Sequence, residues 1–348
     1  MSIITAMPSD NQRFLRACRG LSVDATPVWF MRQAGRYMEE YRALRKKHSI
    51  LELAKTPLLA CEVTLQPVNR LPVDAAILFA DILLPVETMG LKLSFAPGPT
   101  IANPVRTDRD VARLNDATAA AELGFVYGAV RLIRKELAGK VPLIGFAGAP
   151  YTVASYMVEG GPSDHYKIVK AMMTDRPDLW DKLMRKVRRV TAEYLKAQAA
   201  AGAQALQLFD SWIGALSPDQ YRRHVRPHSE WVLREVSGCG VPVISFGTGT
   251  NGFLEDFAAA GGDVIGVDWR IDLDAARKRL GKKPVQGNLD PILLFSSKKS
   301  LRAGIKDVVD RNRKRKGHVF NLGHGILPGT PVENVDYAAK YVHEMTAR

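Results

Sequence analysis

The sequence predicts a (β/α)8 TIM-type barrel, and three observations carry that prediction. Eight short apolar runs recur along 348 residues, each followed by a stretch with helical spacing. The runs are apolar almost without alternation, the pattern of parallel strands covered on both faces. No Ser/Gly linker or low-complexity stretch interrupts the series, so residues 1–348 read as one barrel domain with a short N-terminal extension. An open doubly wound sheet is the alternative, since alternation alone does not close a ring.

Residues 27–30 (Pro-Val-Trp-Phe) are the first strand. Residues 39–71 are helical in pattern, and Thr56-Pro57 marks a restart, a cap residue followed by proline at the first helical position. Residues 74–79 form the second strand, and the Gly- and Pro-rich residues 89–106 an excursion with a small hairpin. A helix over 119–137 leads to the third strand at 142–147, then to helices from Tyr151 and over 178–201. The rhythm then tightens. Strands at 203–209, 242–246, 263–267, 284–286 and 318–322 alternate with helices over 218–236, 252–260, 273–280, 291–313 and 332–346, the fourth of these a short helix and a longer one.

Composition narrows the function classes. Lys+Arg 49 against Asp+Glu 36 gives +13, which favours an anionic partner without choosing among nucleic acid, membrane surface and acidic small molecule. The three cysteines, Cys18, Cys61 and Cys239, form no CxxC pair and have no near His, which fits a reducing cytosol and argues against a zinc site. Asp10 and Arg13 soon follow the Ile3-Ile4 patch, so no signal peptide is expected. The longest apolar run, residues 75–86, is broken by Asp81 and Pro85 and is too short for a bilayer. The expectation is a soluble, cytoplasmic protein with no membrane partner.

A barrel of this type places function on the loops after each strand. Arg32 and Arg36 follow the first strand, in Met31-Arg32-Gln33-Ala34-Gly35-Arg36-Tyr37. Their planar forks suit carboxylate or phosphate, and Gly35 lets the backbone turn tightly or approach a ligand. Asp81 follows the second strand, inside Phe79-Ala80-Asp81-Ile82-Leu83-Leu84-Pro85, where a carboxylate is costly to bury unless paired; its strand-end position favours a functional role, and the bland alternative is a cap for the next turn or a pair with a structural arginine. Gly148 to Thr152 and then Tyr156 follow the third strand, and Phe209-Asp210-Ser211-Trp212 the fourth. Ser211 lacks the GxSxG setting of a nucleophile and reads as a hydrogen-bonding or turn residue. His324, bracketed by Gly323 and Gly325 after the last strand, is a candidate proton or hydrogen-bond donor.

Competing motifs are present or conspicuously missing. Gly247-Thr248-Gly249-Thr250-Asn251-Gly252 is a formal GxGxxG with Asp268 ending the next strand, so a nicotinamide oxidoreductase is a minority reading. The fingerprint usually opens its domain, whereas four βα units precede it here. There is no P-loop and no HExxH. The basic run at 311–316, with Lys298, Lys299, Arg302 and Lys306 before it, has no interleaved aromatics and reads as a solvated helix face rather than a nucleic-acid patch.

Several segments, in order along nearly the whole chain, resemble the uroporphyrinogen decarboxylase family: residues 27–37, Phe79-Ala80-Asp81-Ile82, Tyr156-Met157-Val158-Glu159-Gly160, Leu208-Phe209-Asp210-Ser211, Gln286-Gly287-Asn288-Leu289-Asp290-Pro291 and Asn321-Leu322-Gly323-His324-Gly325. The resemblance implies a distorted barrel, usually a homodimer, without metal or organic cofactor. It implies a carboxy-lyase of haem biosynthesis that converts the four acetate arms of uroporphyrinogen III to methyls, giving coproporphyrinogen III. Carried over residue by residue, Arg32, Gln33, Ala34, Gly35, Arg36, Asp81, Tyr156, Ser211 and His324 contact the substrate, with Asp81, Arg32 and Tyr156 as the catalytic set and Arg45 a weaker addition. That chemistry suits these residue types. A protonated pyrrole serves as the electron sink, so the substrate supplies what a cofactor otherwise would. An acid opposes the cation, and arginines hold the anionic arms.

Overall fold

Short, wholly apolar strands need cover on both faces, and here helices supply it around a curled parallel sheet. The computed structural model describes residues 12–95, 98–312 and 315–348. The signal-peptide reading from Ile3, Ile4 and Asp10 lies outside the described residues, as do the hairpin tip at 96–97 and residues 313–314 of the basic run.

The strands are β1 (Ala76–Ile77), β2 (Leu93–Phe95), β3 (Pro99–Ile101), β4 (Leu143–Gly148), β5 (Ala205–Asp210), β6 (Val243–Gly247), β7 (Val264–Gly266), β8 (Val285–Gln286) and β9 (His318–Val319). Strands β2 and β3 form the antiparallel hairpin expected in the excursion. The others make one parallel sheet in the order β1-β4-β5-β6-β7-β8-β9.

Residues 27–30 close the ring. They hold a single ladder position, Val28 opposite Phe320. Phe320 N–H donates to Pro27 O at 2.8 Å, and on the other side Asp74 N–H donates to Val28 O at 2.7 Å. The segment is therefore the eighth stave, shorter as a strand than its apolar run predicts. The reason is competition from side chains: Val28 N–H donates to Asp74 Oδ2 at 2.6 Å and Phe30 N–H to Gln33 Oε1 at 3.1 Å, so neither joins the ladder.

Helix boundaries differ from the periodicity where caps and prolines intervene. Residues 39–71 hold three helices, Glu39–Arg45, Ile50–Lys55 and Pro57–Arg70, because Ser49 and Glu52 form a capping box and Thr56-Pro57 restarts the chain as expected. Residues 218–236 split into Pro218–His224 and Arg226–Ser237, the second with Pro227 in its first turn, whose missing N–H cannot continue the preceding helix. A further helix, Lys167–Asp175, was not anticipated. The C-terminal helix, Val332–Thr346, matches its predicted bounds.

At the N-terminal end of the barrel, charges are consumed by the fold. Arg13 forms an ion pair with Asp24 and donates to Asp74 Oδ1 at 2.9 Å, while His343 Nε2 lies 2.7 Å from Asp74 Oδ2. Arg277 is fully buried. Its guanidinium donates to Asn312 Oδ1 and to the carbonyls of Lys283, Lys316 and Gly317, and burial pushes its pKa down to about 10. Among the described residues no helix is long and apolar enough to cross a membrane.

Candidate active site

A cleft opens at the opposite end, where the strands finish. Its floor is apolar: Met31, Ile77, Leu78, Ile82, Phe146, Phe209 and Phe246. Phe209 is edge-on to both Phe146 and Phe246, with centroids 5.5 and 5.8 Å away. Four polar side chains, Arg32, Asp81, Ser211 and His324, stand on this floor. They come from the loops after the opening stave, β1, β5 and β9, so the barrel brings together residues spread over most of the chain.

Arg32 sits in a backbone conformation that side chains rarely adopt, with φ +59°. Such a conformation persists only where the surroundings enforce it. Here they are hydrogen bonds on both flanks. Met31 N–H donates to Asn321 Oδ1 at 3.0 Å, Ile326 N–H to Met31 O at 2.8 Å, and Gln33 N–H to Phe30 O at 2.9 Å. The arginine stem then lies over Gly325, where a Cβ would collide with Arg32 Cδ. The glycine beside His324 is thus a passage for Arg32.

Gln33 and Arg36 are not among the residues that line the cleft. Gln33 is fully buried. Its amide accepts from Phe30 N–H and donates to Ala75 O at 3.0 Å, so it acts as a strut between the opening stave and β1. Arg36 is exposed on the turn beyond, outside the cleft lining, and neither it nor Arg32 has an ion-pair partner among the described residues. Ala34 and Gly35 lie half-buried between the two arginines, and Tyr37 Oη closes the turn by donating to Gln33 O at 2.6 Å. Arg45 is spent on His48 O.

Asp81 spends one carboxylate oxygen on a cap and keeps the other out of it. Oδ1 accepts from Leu83 N–H at 2.8 Å, capping the next turn. Oδ2 has no hydrogen-bond partner among the described residues and belongs to the cleft. Burial pushes the carboxyl above its ordinary pKa, while the Leu83 amide and the Arg32 charge pull the other way. Tyr156 is coupled to the same pair. Burial and the Asp81 charge push its hydroxyl up to about 12, against Arg32, so it stays a proton-bearing donor at neutral pH.

His324 is neutral. Burial, then Arg32 and Arg270, push it down to about 4, with Asp268 opposing. Nδ1 accepts from Gly325 N–H at 2.8 Å, which leaves Nε2–H as the donor into the cleft. Of the two roles read from the sequence, hydrogen-bond donor is the one this arrangement provides. Ser211 stands on the cleft wall, its carbonyl accepting from Thr248 Oγ1 at 2.5 Å.

The glycine-rich loop after β6 has a structural job. Asp268 is buried and accepts from Gly249 N–H at 2.8 Å and Arg270 N–H at 3.2 Å, and it pairs with the Arg270 guanidinium. Its carboxylate is thereby committed, leaving nothing for a ribose. Gly249 has φ +66° and packs against Gly214, whose Cα would lie 2.9 Å from a Cβ at 249. These glycines let two loops meet; the dinucleotide reading fails. The basic helix Lys298–Arg311 also differs from its expectation in one respect. No aromatics interleave in sequence, but the C-terminal helix brings Tyr337 under Lys298 (5.5 Å) and Tyr341 under Arg302 (4.9 Å). Lys306 and Arg311 pair with acids on the same helix.

Asp210, Thr152 and Trp212 carry no sequence signature of a role, and the structure gives them one. Asp210 ends β5 and is buried, its Oδ1 accepting from Thr152 Oγ1 at 2.6 Å. Trp212 stacks on Tyr156 with centroids 3.8 Å apart. The available signal was an acid at a strand's carboxyl end next to Ser211.

The comparisons with known proteins bear on this geometry directly. A family model described as uroporphyrinogen decarboxylase matches residues 9–345. The uroporphyrinogen decarboxylase of Carboxydothermus hydrogenoformans is 54% identical over 97% of this chain and 97% of its own length. The chain belongs to the uroporphyrinogen decarboxylase family. The relative from Sorangium cellulosum is 56% identical over 96% of this chain and 97% of its own length. Among solved structures, a methyltransferase from Methanosarcina mazei superposes with TM-score 0.82 over 96% of this chain and 98% of its own, at 22% identity, a likeness of fold. Among the described residues no group of three or more His, Cys, Asp or Glu is placed to hold a metal ion.

Proposed function

We propose that this chain is a carboxy-lyase that decarboxylates uroporphyrinogen, converting the four acetate arms of the III isomer to methyls and yielding coproporphyrinogen III. One observation carries the reading at the level of chemistry: Asp81 turns a free carboxylate oxygen into an apolar cleft bordered by the unpaired Arg32 and the neutral donor His324. Family membership and full-length identity to enzymes of that name support it.

The substrate is a ring of four pyrroles whose N–H groups converge and whose rim carries carboxylates. The apolar floor accommodates the ring faces. Asp81 Oδ2 accepts from the converging N–H groups. Protonation of a pyrrole carbon beside the acetate-bearing carbon makes that ring cationic, and Asp81 opposes the charge in a site of low dielectric. The electron pair of the breaking C–CO2 bond flows into the cationic ring, carbon dioxide leaves, the exocyclic methylene takes a proton, and the ring loses the proton first added. Each arm consumes one proton net. Arg32 holds the reacting or adjacent carboxylate, Tyr156 donates to an arm, and Ser211, His324 and Arg36 anchor other arms toward the mouth. Gln33, Ala34 and Gly35 contribute the turn that carries both arginines. Asp81, Arg32 and Tyr156 are the catalytic set in this proposal.

The same proposal has the chain working as one barrel domain with a short N-terminal extension, as a cytoplasmic homodimer, without metal or organic cofactor and without nucleic-acid or membrane partners. Anaerobic incubation with uroporphyrinogen, followed by chromatography of the oxidised products, tests the activity. Stepwise appearance of hepta- to tetracarboxylate porphyrins is expected. Unchanged octacarboxylate with folded protein would overturn it.

A further inference from the structure

Ser211 lines the cleft from the turn after β5, while Tyr156, on the helix Pro150–Glu159, lies beside that lining, near enough to Asp81 and Arg32 to feel their charges. A buried link joins those elements beneath them. Thr152 is fully buried, one helical turn before Tyr156. Its Oγ1 donates to Asp210 Oδ1 at 2.6 Å and accepts from Trp212 N–H at 3.2 Å. A hydroxyl can accept and donate at once, so one oxygen ties the Trp212 amide to the Asp210 carboxyl. The Trp212 ring, set by that amide, stacks on Tyr156 at 3.8 Å and 27° and meets Tyr166 edge-on at 5.2 Å. Ser211 lies between the two residues the link holds.

We propose that Asp210 and Thr152 are positioning residues that fix the Tyr156–Trp212 wall and aim Ser211 into the cleft. The inference rests on the decarboxylase reading above. The link requires an acceptor at Asp210 and not a charge, since Oδ1 can accept in either protonation state. Burial supports this, pushing the Asp210 pKa up to about 7, and Oδ2 has no hydrogen-bond partner among the described residues.

That requirement yields the test. Thr152→Val removes the hydroxyl at constant shape and leaves Asp210 and the Trp212 amide unpartnered. Its kcat/KM for uroporphyrinogen falls about ten-fold or more, the loss of roughly one buried hydrogen bond. Thr152→Ser restores it. Asp210→Asn, which keeps a carbonyl acceptor, retains more activity than Asp210→Leu. The double variant Thr152→Val with Tyr156→Phe loses less than the product of the single losses, because both act on one wall. A readout without substrate accompanies these: in 5-fluorotryptophan-labelled protein, the 19F resonance that Trp212→Phe removes shifts and broadens in Thr152→Val and recovers in Thr152→Ser.

Wild-type kcat/KM in Thr152→Val with an unmoved Trp212 resonance would overturn the inference. So would equal damage from Asp210→Asn and Asp210→Leu, which would mean that the acid's proton or charge is what counts. Should Asp210→Leu fail to fold, the Thr152 pair reads the same bond. If wild-type protein shows no turnover, the decarboxylase reading fails, while the fluorine resonance still decides whether the link holds the ring.

Discussion

The two ends of the barrel treat charge in opposite ways. At the N-terminal end, Arg13, Asp24, Asp74 and His343 satisfy one another, and the Arg13 guanidinium beside Asp24 holds that carboxyl below its ordinary range. At the C-terminal end, Arg32 and Arg36 lack ion-pair partners among the described residues, Asp81 keeps a free oxygen, and burial holds Asp81 and Asp210 above theirs. A paired charge spends its interaction on holding the fold. The free oxygen of Asp81 in its apolar cleft and the exposed guanidinium groups of Arg32 and Arg36 keep theirs for a ligand. On the proposed mechanism, the first end serves stability and the second binds a polyanion and opposes a transient cation.

The largest effect is expected at Asp81. Asp81→Asn keeps the acceptor for Leu83 N–H and removes the charge, so kcat falls by about 10³-fold with the melting temperature held, in steady-state and thermal assays. Near-normal turnover would remove the cation-stabilising role. The mirror experiment is Asp74→Ala. It strips Arg13 and His343 of a partner and costs about 3 kcal/mol of unfolding free energy in urea, with kcat unchanged once the protein is folded. If both substitutions acted on the same parameter, the contrast between the ends would be false.

Binding effects come next. Alanine at Arg36 or His324 raises KM about ten-fold and lowers kcat less, as loss of arm anchoring should. The reverse pattern would move them into the chemistry.

A pH test separates the two ends through stability. Asp210 has a folded pKa of about 7, above its unfolded value near 3.9, so the folded protein binds the extra proton between those limits. Wild-type stability contributed by this group therefore rises as pH falls from 7 toward 4. Asp210→Asn cannot share that rise. The stability difference in favour of the variant is largest above pH 7 and shrinks toward pH 4. Asp24→Asn behaves in the opposite sense, because the wild-type group is stabilising when ionised: the deficit is present at neutral pH and fades as Asp24 protonates. A pH-independent difference for both variants would contradict the assignment.

The smallest effect is electrostatic steering. With a formal net charge of +13, kcat/KM for the polyanionic substrate falls a few-fold between low and physiological salt.

Much of this plan was legible in the chain. Strand ends could be located from apolar runs, and function on a barrel collects there, so Arg32, Asp81, Ser211 and His324 could be named before any geometry. What stayed hidden depended on partners distant in sequence. The stave at residues 27–30 reads as a full strand because nothing local shows that Asp74 and Gln33 will take its amide protons. Gln33 looks like a site residue beside Arg32, and its burial against Ala75 appears only when β1 is in place. Asp268 completes a nucleotide fingerprint on paper and braces Gly249 in three dimensions. Asp210 is silent in the sequence because an acid next to a serine has no periodicity of its own; its meaning comes from Thr152, 58 residues away.

The most direct test of the central claim is an anaerobic crystal structure with coproporphyrinogen bound. The free oxygen of Asp81 should lie within hydrogen-bond distance of the converging pyrrole N–H groups, with the propionates directed toward the arginine-bearing loop. A tetrapyrrole seated with those N–H groups turned away from Asp81 would contradict the account.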